Sequence, residues 1–138
     1  MSKRRYLRAY LAGICCPTIF LLAVVTGYTV DRYVINDVPA PLERFIVFPM
    51  AVVPNLWGLW NVLYVALHER LRLSLGLHGA LLPLILGPLA MILSGTLRVQ
   101  IPTSAAHVLP FIVPIAIILY YLAWKYLVGF LNAELGIV

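Results

Sequence analysis

Acidic residues are scarce in this chain: five Asp and Glu among 138 residues, against ten Lys and Arg. Charged residues of both signs make up 11%, where a soluble domain carries about 25%. That shortage excludes an ordinary water-facing surface. No carboxylate falls at the centre of an apolar run, which is where proton-coupled pumps commonly place one, so a proton antiporter is disfavoured. Cysteine is limited to Cys15 and Cys16. Neighbours on a helix diverge by about 100°, so the two cannot close an unstrained disulfide. They also lack the Cys-x-x-Cys spacing that activates a redox thiol, and read as small packing residues. Glycine-rich phosphate loops, zinc-protease motifs, repeats and low-complexity tracts are all missing. Ser94 and Thr96 have no histidine or carboxylate with which to build a hydrolytic triad. The chain is therefore not expected to be an enzyme, and no cofactor is expected.

Metal binding is disfavoured as well. His68 and His78 flank one connection, whereas His107 belongs to the opposite side if the helices alternate. Two imidazoles without a Cys-His spacing do not make a structural metal site.

What is present is apolar. The chain is 63% hydrophobic, with a mean hydropathy of +0.99. Of its ten prolines, Pro17, Pro49, Pro54, Pro83, Pro88, Pro110 and Pro114 lie inside strongly apolar stretches. Interior prolines break most soluble helices, because they remove a donor and clash with the preceding turn. Membrane bundles tolerate them, since neighbouring helices and hydroxyl side chains re-satisfy the freed carbonyls. The composition predicts an all-α, four-transmembrane-helix bundle with proline-kinked helices, forming a single domain over 1–138. The spans are expected at about 9–30, 44–67, 79–97 and 107–126.

Loop charge predicts the orientation. Lys3, Arg4, Arg5, Arg8, Arg70, Arg72 and Lys125 fall on one side of four alternating spans. Arg32, Arg44 and Arg98 fall on the other, with Asp31, Asp37 and Glu43. Both termini are expected to be cytoplasmic, in a membrane of the bacterial inner type. The alkaline character is thus assigned to orientation, and no nucleic-acid partner is expected. The basic start and apolar run also resemble a secretory leader, but the run is long and Val25-Thr26-Gly27 is a poor cleavage site. Tyr120, Tyr121, Trp124 and Tyr126 suit the headgroup level. The tail 127–138 is expected as a short interfacial segment, with an inward extension of span four as the alternative. Lys125 is expected to reach water by snorkelling.

Lipid is as apolar as leucine, so close packing of small residues must hold such a bundle together. In span three, Gly79, Pro83, Gly87, Ala90 and Ser94 share one face, while Leu81, Leu82, Leu84, Leu86, Leu89 and Ile92 fall mostly toward lipid. On that reading Gly87→Leu disrupts the bundle and Leu86→Phe is tolerated. Ala9, Gly13, Cys16, Ala23 and Gly27 repeat the pattern in span one.

The densest candidate site is in span two. Trp57, Trp60, Asn61 and Tyr64 follow at i, i+3, i+4 and i+7 and share one helical face. Three rings around one amide can line a small-molecule site. They can equally be packing residues, with Asn61 as an interhelical hydrogen bond. Asn55 points away from this stripe and joins it only if Pro54 distorts the turn. Pro49/Pro54 and Pro83/Pro88 repeat a spacing of five, and paired broken helices can mark a transport site.

The expected function is a small integral membrane protein that moves a small solute as a homo-oligomer. The alternatives are a non-catalytic subunit or scaffold of a larger membrane complex, and a lipid- or quinone-modifying membrane enzyme. Expected partners are the lipid bilayer, further copies of the chain or another membrane protein, and a small-molecule ligand.

Overall fold

The structure is a computed structural model in which residues 3–35, 47–96 and 104–137 are described. The loop positions Asp37, Glu43, Arg44 and Arg98, and the side chains of Asp31, Ser94 and His107, lie outside the described residues.

The described chain is helical throughout, without a strand. Four stretches are long and apolar enough to cross a membrane: Arg4–Val34, Met50–Leu71, Leu75–Ile92 and Pro110–Glu134. The first rod is α1 (Lys3–Val30), which runs into a π-helical turn at Asp31–Ile35. Pro17 lies inside it. In this apolar helix the hydroxyls turn back on the backbone: Thr18 Oγ1 donates to Ile14 O at 2.6 Å, and Thr26 to Leu22 O at 2.8 Å. Such back-bonding satisfies the hydroxyls within the helix itself.

The second rod begins with a π-helical stretch, Val47–Val52, and continues as α2 (Val53–Leu71). Pro54 lies in the first turn of α2, directly after the π-helical stretch, and its missing N–H leaves a carbonyl of that stretch without a backbone donor. The helix ends at Arg72, whose φ of 47° is left-handed and whose amide bonds to His68 O at 3.1 Å. A short loop follows. Ser74 then caps α3 (Leu75–Ala80) by accepting from Leu77 N at 3.4 Å.

The third rod is broken. Between α3 and α4 (Leu82–Thr96) the Leu81 amide bonds to His78 O at 3.3 Å and Leu84 to Leu81 O at 3.2 Å. Both are three-residue turns, which wind more tightly than an α-helix. Pro83 cannot donate to the Gly79 carbonyl, so the break occurs here. The fourth rod is continuous through three segments: α5 (Ser104–Leu122), a π-helical stretch at Ala123–Val128, and α6 (Gly129–Glu134). Residues 127–134, expected as an interfacial segment, prolong this rod. The chain then turns back, and Ile137 is buried against Ala9, Ala12, Tyr64 and Val65. Arg5 donates from Nε and Nη2 to the Ile137 carbonyl at 3.2 and 2.9 Å. Both described ends of the chain therefore lie at the same end of the bundle.

Close approach joins α1 to α2. A Cβ at Gly13 would lie 2.5 Å from the Trp57 carbonyl oxygen, and one at Gly58 would lie 2.6 Å from Ile14 and the Tyr10 ring. The small-residue faces expected from sequence extend only part way. In α1, Ala9 and Gly13 are buried, but Ala23 and Gly27 are exposed, and a Cβ at Gly27 would meet nothing. In the third rod Gly79 is packed, whereas Gly87 is exposed and a Cβ there would also meet nothing. Leu82 and Leu86, expected toward lipid, are buried with Trp57, Trp124 and Val128. The tight turns at Leu81 rotate α4 relative to α3, so the stripe that begins at Gly79 does not continue on the same side. Gly87→Leu is consequently no longer expected to disrupt the bundle, and Leu86→Phe is no longer expected to be harmless.

Candidate functional site

The span-two stripe faces the interior of the bundle. Trp57 packs with Leu82, Leu86, Trp124 and Val128. Its ring centroid lies 5.1 Å from that of Tyr120 and 5.4 Å from that of Trp124. One turn further on, Asn61 has 0% exposure. Its Nδ2 donates to Ala9 O at 2.8 Å and to Asn132 Oδ1 at 2.8 Å. Asn132 Nδ2 returns a bond to Asn61 Oδ1 at 3.1 Å. The two carboxamides form a reciprocal pair, and a third bond reaches the backbone of α1. This node links the first, second and fourth rods.

Trp60 makes a second reciprocal contact, to the third rod. Its indole Nε1 donates to His78 O at 2.8 Å, and His78 Nε2 is 2.9 Å from Trp60 O. A carbonyl only accepts, so Nε2 carries a proton in this contact. The imidazole stacks on Trp60 with centroids 4.7 Å apart and lies 5.3 Å from Tyr64 and 5.9 Å from Trp124. Tyr64 completes the stripe, buried against Ala9, Ala12 and Ile137.

Asn55 stands apart on an exposed face. Its Oδ1 accepts a short hydrogen bond from the Tyr10 hydroxyl, and its Nδ2 donates to the Ala51 carbonyl. The amide is thus used between α1 and the start of the second rod, and it does not join the stripe. Four of the five sequence candidates, Trp57, Trp60, Asn61 and Tyr64, are brought together. What they surround is protein.

A cleft does open at the end of this cluster, lined by Tyr64, Leu67, His68, Leu71, Leu73 and His78. It is too narrow to admit a water-sized molecule. His68 and Tyr64 lie ring to ring at 4.9 Å, and His68 Nδ1 has no hydrogen-bond partner among the described residues. No group of three or more His, Cys, Asp or Glu converges to hold a metal among the described residues.

Sequence reasoning missed three members of this centre. His78 was placed at a loop edge, and it is 4% exposed. Trp124 was placed at the headgroup level, and it is 0% exposed. Asn132 was placed in an interfacial tail. A signal was there: Trp124, Val128 and Asn132 follow at i, i+4 and i+8, which is one helical face. It was obscured by ending span four at residue 126. No family model, curated protein or solved structure matches this chain.

Proposed function

We propose that the chain is an integral protein of a cytoplasmic membrane, with four spans and both termini on the cytoplasmic side, that serves as a non-catalytic subunit of a larger membrane assembly. The observation that carries this reading is the pairing of Asn61. An amide reserved for a ligand needs a free donor or acceptor facing a space. Here the donor is divided between Ala9 O and Asn132, and the acceptor is taken by Asn132. The same closure holds for Trp60 and His78. Polar groups used in this way fix the mutual register of helices that cannot be held by burial of apolar surface. The orientation rests on Arg4, Arg8, Arg70 and Arg72, which are exposed at the end of the bundle that carries both termini.

A second reading keeps the homo-oligomeric transporter. It rests on Gly27 and Gly87, around which a Cβ would meet open space. Small residues on an exposed helical face are suited to receiving another copy. Two measurements separate the readings. Protein reconstituted alone into liposomes is expected to give no solute flux above empty vesicles. Native electrophoresis after mild extraction is expected to show a species larger than the chain and its self-oligomers. Flux from the protein alone, with only self-oligomers on the gel, would replace the subunit reading with the transporter.

A further inference from the structure

Lys125 is the only lysine or arginine of the fourth rod, and it is exposed. It lies on an apolar surface: Leu122, Leu127 and Phe130 are 42%, 55% and 62% exposed. It is also deep. Asn132, seven positions later, is level with Asn61 and Ala9. At 1.5 Å per residue, Lys125 starts ~10 Å further from the basic end than that layer. No carboxylate pairs with it among the described residues. Its ammonium instead lies 5.8 Å from the centre of the Tyr121 ring and 5.3 Å from that of Tyr126. Aromatic faces stabilise a cation only in part.

The surroundings are fixed rather than loose. The Tyr121 ring is pressed on Gly76 so closely that a Cβ there would lie 2.7 Å from Cε2. Gly76 is buried in the first turn of α3. Tyr121 is therefore held beside Lys125 on its own rod. Arg5, by contrast, is spent on the Ile137 carbonyl. An exposed cation at this depth, braced by rings, complements an anion that can descend from the membrane surface while its tails stay in the hydrocarbon.

We infer that Lys125, with Tyr121 and Tyr126, docks the phosphate of an anionic phospholipid headgroup. The inference rests on the membrane reading above. Its occupant differs from a soluble phosphate in bringing acyl chains that cover Leu122, Leu127 and Phe130. Snorkelling of Lys125 to water, expected from sequence, makes no such demand on lipid identity.

The test is lipid retention by the purified full-length chain, read by native mass spectrometry and by thermal shift, with phosphatidylglycerol against phosphatidylcholine of the same acyl chains. Phosphatidylglycerol is expected to be retained about fivefold better, the scale of one cation's interaction at a membrane surface. Lys125→Gln is expected to remove that preference and Lys125→Arg to keep it, each in a folded protein by its own melt. Inorganic phosphate at millimolar concentration is expected not to displace the lipid. Equal retention of the two lipids overturns the inference, as does a preference that survives in Lys125→Gln. Competition by inorganic phosphate overturns the lipid as the occupant. Extraction of the chain from membranes by alkaline carbonate overturns the membrane reading itself, a result distinct from an inserted chain without lipid preference.

Discussion

A Cβ placed on Gly79 would lie 2.0 Å from Cγ of Trp124 and 2.3 Å from its Cβ. The third and fourth rods meet at this point with only the Trp124 side chain between them. The contact is at the stiff root of the tryptophan, so rotating the ring does not relieve it. Around it are Trp57 at 5.4 Å and His78 at 5.9 Å, centroid to centroid. The glycine thus sets how deeply the π-helical stretch of the fourth rod seats itself in the bundle.

Gly79→Ala is expected to destabilise the protein by at least the ~1–3 kcal/mol typical of overpacking. In a Trp124→Ala background, which removes Cγ and the ring and costs stability of its own through lost volume, the same Gly79→Ala change is expected to cost less, because the closest contact is gone. Thermal melts of the four proteins in one detergent give the coupling. Equal costs of Gly79→Ala in the two backgrounds would show that the clash is not at Trp124.

The paired carboxamides give a second cycle. Asn61→Leu leaves Asn132 buried without its partner, and Asn132→Leu does the same to Asn61. Each single change is expected to cost about 1–3 kcal/mol, the penalty for an unsatisfied buried polar group. Replacing both removes the orphan along with the bond, so the double variant is expected to be more stable than either single one. A double variant as unstable as the sum of the singles would mean that the amides act separately.

The fold was legible in the sequence to the extent that it depends on run length. Four apolar stretches separated by charged or proline-bearing connections become four helices long and apolar enough to span a membrane. Which side of each helix packs was legible only up to the first irregular turn. Ala9 and Gly13 precede Pro17 and are packed as expected, and Gly79 precedes the break at Leu81 and is packed as well. Beyond those points a 3.6-residue projection no longer applies, and Leu82 and Leu86 exchange roles with Gly87. The stripe of Trp57, Trp60, Asn61 and Tyr64 lies on an uninterrupted α-helix, which is why its shared face was correctly placed. Its partners were not visible. His78 and Asn132 are polar residues near expected span ends, where a solvated or interfacial place is the default, and only tertiary contact draws them inside.

The contrast between Gly87 and Gly13 is directly testable. Gly13→Leu is expected to separate α1 from α2, because even a Cβ meets backbone atoms at 2.5–2.9 Å. Gly87→Leu is expected to leave the stability within about 0.5 kcal/mol of wild type, as for an exposed position away from special features. Gly87→Leu proving as damaging as Gly13→Leu would show that Gly87 faces a protein surface, which is the contact the homo-oligomer reading requires.

The last expectation concerns the end of the chain. Ile137 is 3% exposed and lies against Ala9, Ala12, Tyr64 and Val65, while its carbonyl receives both Arg5 contacts. Apolar burial and a charge-assisted hydrogen bond therefore converge on one residue, three positions past the last helix. Ile137→Ala is expected to cost about 2–5 kcal/mol if the cavity does not collapse. Arg5→Ala is expected to cost about 1.5–3 kcal/mol, the range for hydrogen bonds to charged groups. Because both substitutions release the same turn, their effects are expected to be less than additive: once Ile137 has left its pocket, its carbonyl is no longer presented to Arg5. Thermal melts of the two single variants and the double variant read this as a coupling energy. Full additivity would mean that the tail packs and bonds as two independent contacts.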